Sequence, residues 1–88
     1  MEIEFHPAKA RAKLRKHGVN FADAEQALCD NMAVTIEDPD ALNERRFMSL
    51  GMDAWGRILI VVYTQRGDRT HVISTRKVSR GEARQYHA

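Results

Sequence analysis

The stretch RRFMSLGMDAWGRILIVVYTQRGDRTHVISTR, residues 45–76, decides the fold. Its period is two. Arg46, Met48, Leu50 and Met52 fall on one face and Arg45, Phe47, Ser49 and Gly51 on the other, as successive side chains of a strand do. The turn Asp53-Ala54-Trp55-Gly56 leads into Arg57–Thr64, the most apolar segment and so the expected central strand. Gln65-Arg66-Gly67-Asp68 reads as a hairpin loop. Arg69–Arg76 follows as a strand, with Val72, Ser74 and Arg76 on one face and His71, Ile73 and Thr75 on the other. Consecutive strands on short turns imply an antiparallel meander, which helices must cover on one face.

Outward from this block, Ala33–Glu37 reads as a further strand, closed by the turn signal Asp38-Pro39-Asp40. Before it, Asn20 opens a helix ending near Cys29–Asn31. Asp23 stands at the capping-box spacing, and Phe21, Ala24, Ala27 and Leu28 form the buried stripe. Cys29 reads as a small core residue at the helix end. A first helix is expected over residues 7–17, opened by Pro7 and stopped by Gly18, with Ala10, Leu14 and His17 on its thin apolar stripe. Glu2–Phe5 reads as a short strand. At the other end, Ser79 with Glu82 makes a capping box for a helix running to about Tyr86. The order is β-α-α-β-β-β-β-α. The expected class is α+β, an antiparallel sheet of four to five strands with two N-terminal helices and one C-terminal helix.

Eighty-eight residues make one small domain, residues 1–88, too short for a two-domain cofactor enzyme. A chain of this size buries only roughly 60–65% of its unfolded surface, so a partner would add stability. With 43% hydrophobic and 30% charged residues it is too apolar to be disordered. The longest apolar run, Ile58–Tyr63, is far short of the ~18–20 residues that cross a bilayer. The N-terminus has no apolar signal segment, and one cysteine excludes an internal disulfide and a CxxC zinc site. No membrane association is expected, and the cytoplasm is the expected compartment.

The net charge of +2 conceals blocks. Residues 1–17 carry five Lys/Arg against two Glu, residues 18–44 carry seven Asp/Glu and no Lys or Arg, and residues 45–88 carry nine Lys/Arg against three Asp/Glu. Such segregation predicts a basic face that attracts phosphates. Ten of the fourteen basic residues are arginine, whose planar fork grips phosphate in two places.

Cofactor and metal signatures are missing: no GxGxxG, no P-loop, no HExxH, and four scattered histidines. Asp38 and Asp40 read as turn residues before they read as a metal pair. What remains is the basic C-terminal half. Arg45, Arg46, Arg57, Arg76 and Lys77 lie at strand ends, and Arg80 and Arg84 share a helix face. Guanidinium groups converging on one phosphate suit metal-free phosphodiester cleavage. A 2′-hydroxyl attacks phosphorus, and fixed cations stabilise the charge that builds on its oxygens. A base takes the 2′ proton and an acid protonates the 5′ oxygen. His71, Tyr86, His87 and Glu44 are the side chains available near the basic region.

The chain resembles the BrnT family, the ribonuclease half of BrnT/BrnA toxin–antitoxin pairs. The resemblance rests on Phe5-His6-Pro7-Ala8-Lys9 and on Arg15-Lys16-His17-Gly18-Val19 with Phe21 and Ala24 following. It continues through Glu44-Arg45-Arg46-Phe47 with Leu50-Gly51, and Ile73-Ser74-Thr75-Arg76-Lys77 with Glu82 and Tyr86. These stretches occur in the family's order along nearly the whole chain. His6 and Thr75 depart from the pattern, which often has Asp and Ala there.

The resemblance implies a RelE-like fold and a metal-independent endoribonuclease without cofactor, which cleaves RNA and so inhibits translation and growth. It also implies inhibition by a cognate BrnA-like antitoxin, through which alone the pair reaches operator DNA. By order along the chain it points to Arg46, Arg57, Arg76 and Tyr86 as catalytic. Arg45, Lys77, Arg80, Arg84 and His71 are the expected RNA contacts, and which of Arg45 and Arg46 faces RNA stays open. Two other readings use the same surface: a nucleic-acid-binding module without catalysis, and a protein-interaction subunit.

Overall fold

The structure is a computed structural model and describes residues 2–9, 11–12 and 18–87. Five strands form one sheet: β1 (Glu2–Glu4), β2 (Val34–Glu37), β3 (Arg46–Met52), β4 (Ile58–Arg66) and β5 (Arg69–Lys77). Their order is β1-β5-β4-β3-β2, so the apolar segment is central, as its composition implies. From β2 to β5 each strand pairs antiparallel with the next. The sheet as a whole is mixed, which corrects the antiparallel expectation: β1 runs parallel to β5, with Ile3 opposite Thr70 and Glu4 opposite His71. The intervening chain lets β1 reach the far edge, and such an edge pairing carries no hairpin constraint.

Two turns hold the register. Asp53 Oδ1 accepts hydrogen bonds from the backbone N–H groups of Trp55 and Arg57, and Gly56 takes φ 79°. The β4–β5 loop is only Gly67-Asp68, because Arg66 already pairs with Arg69, and Gly67 adopts φ 62°. A two-residue hairpin loop favours glycine in that first place. Between β2 and β3 the Asp38 carboxylate accepts from Asp40 N–H at 2.9 Å, the turn role expected of it.

One face of the sheet is covered by the N-terminal layer. Residues 7–9 and 11–12 are helical; residues 10 and 13–17 of the expected first helix, with Leu14 and His17, lie outside the described residues. The second helix is shorter than its sequence pattern suggests. It is a 3₁₀ turn over Phe21–Asp23 followed by α1 (Ala24–Leu28), with the Asn20 side chain accepting from Ala22 N–H. Phe21, Ala24 and Ala27 are buried against Leu59, Val61 and Val72, and Val19 completes this core. Gly51 permits the closeness of α1: a Cβ there would stand 1.9 Å from the Ala27 carbonyl oxygen. Cys29, expected in the core, is exposed beyond the helix end.

The C-terminal helix, α2 (Arg80–His87), lies on the opposite face, so helices flank both sides of the sheet. Its N-terminus has the expected capping box: Glu82 N–H donates to Ser79 Oγ and Ser79 N–H to Glu82 Oε1. None of its residues is buried. Polar ties therefore hold it more than packing does. Between α2 and the sheet lies a groove floored by Ile36, Met48, Leu50, Ile60 and Val62.

Candidate active site

Strand alternation divides the cations between two faces. Arg46 sits opposite Thr64, and Thr64 opposite His71, on the face that carries α2. Ile60 sits opposite Arg76 on the same face. Arg46 and Arg76 are thus about 16 Å apart at the backbone, four residues along and two strands across at ordinary sheet spacings. They flank one surface and do not meet at one point.

At the α2 end, Arg76 donates from Nη1 to Glu82 Oε1 at 3.0 Å and from Nη2 to Oε2 at 2.9 Å. The guanidinium and the Ser79 N–H together hold the Glu82 carboxyl down at about 2. Tyr86 Oη donates to Asp30 Oδ2, which also accepts from Met52 N–H. That hydrogen bond pushes the Tyr86 phenol up and the Asp30 carboxyl down. The Tyr86 hydroxyl proton is thus committed to Asp30. Arg80, Arg84 and Lys77 are exposed and have no ion-pair partner among the described residues. The groove beside Arg76 has a volume of about 250 Å³.

At the other end a cleft of about 460 Å³ opens between the 40–44 connection and the sheet, lined by Arg46, Thr64, Asn43, Glu44 and Ile73. Arg46 is half exposed, with Asp38 Oδ2 the closest carboxylate at 3.9 Å. Thr64 is buried, and its hydroxyl has no hydrogen-bond partner among the described residues. Glu44 accepts two hydrogen bonds from Arg66, which holds its carboxyl below the usual range. His71 Nδ1 faces Glu4 Oε1 at 3.5 Å.

Two expected site residues sit elsewhere. Arg45 points to the α1 face, where Glu37 takes two of its donors and Phe47 lies under the guanidinium at 5.4 Å. Of the two neighbouring arginines, Arg46 is the one beside the cleft. Arg57 does not join the other catalytic candidates. Its donors go to Asp53, Asp23 and the Gly18 carbonyl, tying the β3–β4 turn to the 3₁₀ segment. Burial opposes the Arg57 charge, but the two aspartates outweigh it and its pKa is raised. Asp23, expected in a capping box, spends its carboxylate here and makes no cap hydrogen bond.

The charge blocks also behave differently from the expectation of separate acidic and basic faces. The acidic segment 18–44 supplies Asp23, Glu37, Asp38 and Glu44 to arginines of the C-terminal half. Sequence distance concealed this neutralisation, because β3 and β4 bring the two blocks together. Glu4 and Thr64 were not singled out from sequence. Only the β1–β5 and β3–β4–β5 registers place them beside His71 and Arg46.

A family model described as the ribonuclease toxin BrnT of type II toxin–antitoxin systems matches residues 5–82. The chain belongs to the BrnT family. The fold is similar to that of the BrnT ribonuclease toxin of Brucella abortus, with a TM-score of 0.67 and 28% sequence identity over 91% of this chain and 99% of that one. Among proteins of curated function none matches significantly. BrnT membership carries with it an antitoxin partner, since the family is defined within two-component systems. Among the described residues no group of three or more His, Cys, Asp and Glu is placed to hold a metal ion. No described helix is long and apolar enough to cross a membrane.

Proposed function

We propose that this BrnT-family chain is a single-domain, RelE-like endoribonuclease that works without metal, and that RNA lies across the face bearing α2. The observation that carries the proposal is the shared face of Arg46 and Arg76; Arg80 and Arg84, without ion-pair partners among the described residues, lie on the outer side of α2, away from the groove that Glu82 and Gln85 line. Family membership supplies the activity class. A phosphate chain crossing this face meets guanidinium groups at both ends. The apolar floor between them, Met48, Leu50, Ile60 and Val62, suits a nucleobase. Fixed guanidinium groups stabilise charge that develops on the phosphate oxygens, with no reorganisation at the moment of reaction.

The toxic activity acts in the cytoplasm on RNA, halts translation, and is neutralised by a BrnA-like antitoxin. That antitoxin supplies all contact with operator DNA. Expression of the chain alone slows growth, and co-expression of its antitoxin restores it. Purified protein degrades single-stranded RNA, and the antitoxin suppresses the degradation in a one-to-one titration. Binding that weakens with salt but never cuts the strand would replace this reading with a non-catalytic module.

A further inference from the structure

We propose that His71 is the proton-transfer residue of this ribonuclease site, acting on an RNA whose scissile phosphate is held by Arg46 and Thr64, with Glu4 as the residue that positions the imidazole. The inference rests on the ribonuclease reading above and supplies the general base that reading lacks.

Three observations converge. Arg46, Thr64 and His71 occupy successive strands as direct register partners, so they form one row across the open face. Neighbouring strands are about 4.8 Å apart, so the row is short enough for one nucleotide. Thr64, only 3% exposed, lines the larger cleft and leaves its hydroxyl without a partner. A phosphate seated at Arg46 would meet that hydroxyl once the Thr64 side chain turns into the cleft it lines. His71 Nδ1 is likewise buried and without a hydrogen bond, while Glu4 Oε1 faces it at 3.5 Å. A short approach of that carboxylate fixes Nδ1–H toward Glu4 and leaves Nε2 for substrate, the usual division of labour in an oriented catalytic histidine.

Among the described residues, the charges around the ring come from the elements packed on it. Glu4 is on β1, His6 follows it, Arg66 is on β4, and Glu44 is in the β2–β3 connection. Arg69, on the same strand as His71, holds the other oxygen of Glu4. Arg66 and Arg69 pair with Glu44 and Glu4 and so fix the two carboxylates beside the ring.

The reaction balances as a transesterification. The 2′-hydroxyl gives its proton to neutral His71 Nε2 as the 2′-oxygen–phosphorus bond forms. The phosphorus–O5′ bond breaks, and the 5′-oxygen takes a proton from water. The imidazolium then returns its proton to solvent, leaving a 2′,3′-cyclic phosphate and a 5′-hydroxyl.

The test compares wild type, His71→Ala, His71→Gln and Glu4→Gln on a single-stranded RNA oligonucleotide, with melting temperature and RNA affinity measured on each. Loss of a general base lowers kcat by about 10²–10⁴. We expect that loss in both His71 variants with RNA affinity retained, and partial recovery of His71→Ala by added imidazole. Glu4→Gln lowers kcat and leaves KM unchanged. A His71 variant that cleaves like wild type overturns the inference and leaves the ribonuclease reading standing. So does a folded, inactive His71→Ala that gains nothing from added imidazole. Wild type that does not cleave RNA at all overturns both.

Discussion

Arg76 and Glu82 are joined by two parallel hydrogen bonds, 3.0 and 2.9 Å long, across the junction of β5 and α2. The pair closes the groove at its α2 end. It gives Arg76 a structural duty beside the phosphate contact proposed for it, and the two duties separate by experiment. Arg76→Ala is expected to lower the cleavage rate by about 10²–10³, the usual loss for one transition-state donor. Arg76→Lys recovers part of it, since an ammonium cannot present the parallel fork. Glu82→Gln breaks the same pair but keeps the cation. It is expected to lower melting temperature about as much as Arg76→Ala while retaining cleavage within about tenfold. Equal loss of cleavage in Arg76→Ala and Glu82→Gln would mean that Arg76 acts only by pinning α2.

The same pair sets a pH dependence. The Glu82 carboxyl lies at about 2 in the folded protein, against its ordinary 4.5. Its folded value is depressed, so its stabilising contribution is complete above pH 4.5 and is lost as pH falls toward 2. Wild-type melting temperature should therefore fall through this window. Glu82→Gln should be less stable at neutral pH and show a shallower acid decline. Identical slopes for the two proteins would refute the assignment.

Arg57 offers the opposite contrast, stability without chemistry. Asp53 has a fully buried carboxylate, and Arg57 is its counter-charge while reaching Asp23 at 2.8 Å. Arg57→Ala leaves that carboxylate uncompensated. The expected cost is roughly 2–3 kcal/mol, below the 3–5 of a fully buried pair because the guanidinium remains partly exposed. Chemical denaturation measures it. At a temperature where the variant is still folded, its cleavage rate should stay within a few-fold of wild type; a loss of 10² there would return Arg57 to the catalytic set.

Gly51→Ala tests the packing of α1. The new methyl meets the Ala27 carbonyl, and backbone cannot step aside as a flexible side chain would. An overpacked site of this kind typically costs about 1–3 kcal/mol. Melting temperature should drop, whereas Gly56→Ala, with open space around its Cβ, suffers only the strain of its positive φ.

Much of this fold was legible because residues 45–64 alternate and the turns carry Asp and Gly where the backbone needs them; in β5 a register shift breaks the alternation, so Val72, expected on the face of Ser74 and Arg76, is buried in the core as Thr75 is. The Ser79–Glu82 capping box was readable for the same local reason. The parallel β1 edge was not, since nothing in Glu2–Glu4 encodes a partner 67 residues away. The placement of α2 on the open face escaped too: its apolar stripe is weak, and its anchors, Arg76 and Asp30, become visible only in three dimensions. Site residues fared by the same rule. Arg46 and Arg76 share a face by simple strand parity, but Arg57 precedes β4 and turns to Asp53 and Asp23, partners set by tertiary structure.

Metal-free strand cleavage at the open face is open to direct measurement. The most direct measurement follows a 5′-labelled RNA oligonucleotide incubated with purified protein in excess EDTA and identifies the product ends. Cleavage is expected to continue undiminished, leaving a 2′,3′-cyclic phosphate, or the 3′-phosphate derived from it, and a 5′-hydroxyl on the downstream fragment. Cleavage abolished by EDTA and restored by Mg²⁺ or Mn²⁺, or products bearing a 3′-hydroxyl and 5′-phosphate, would contradict it.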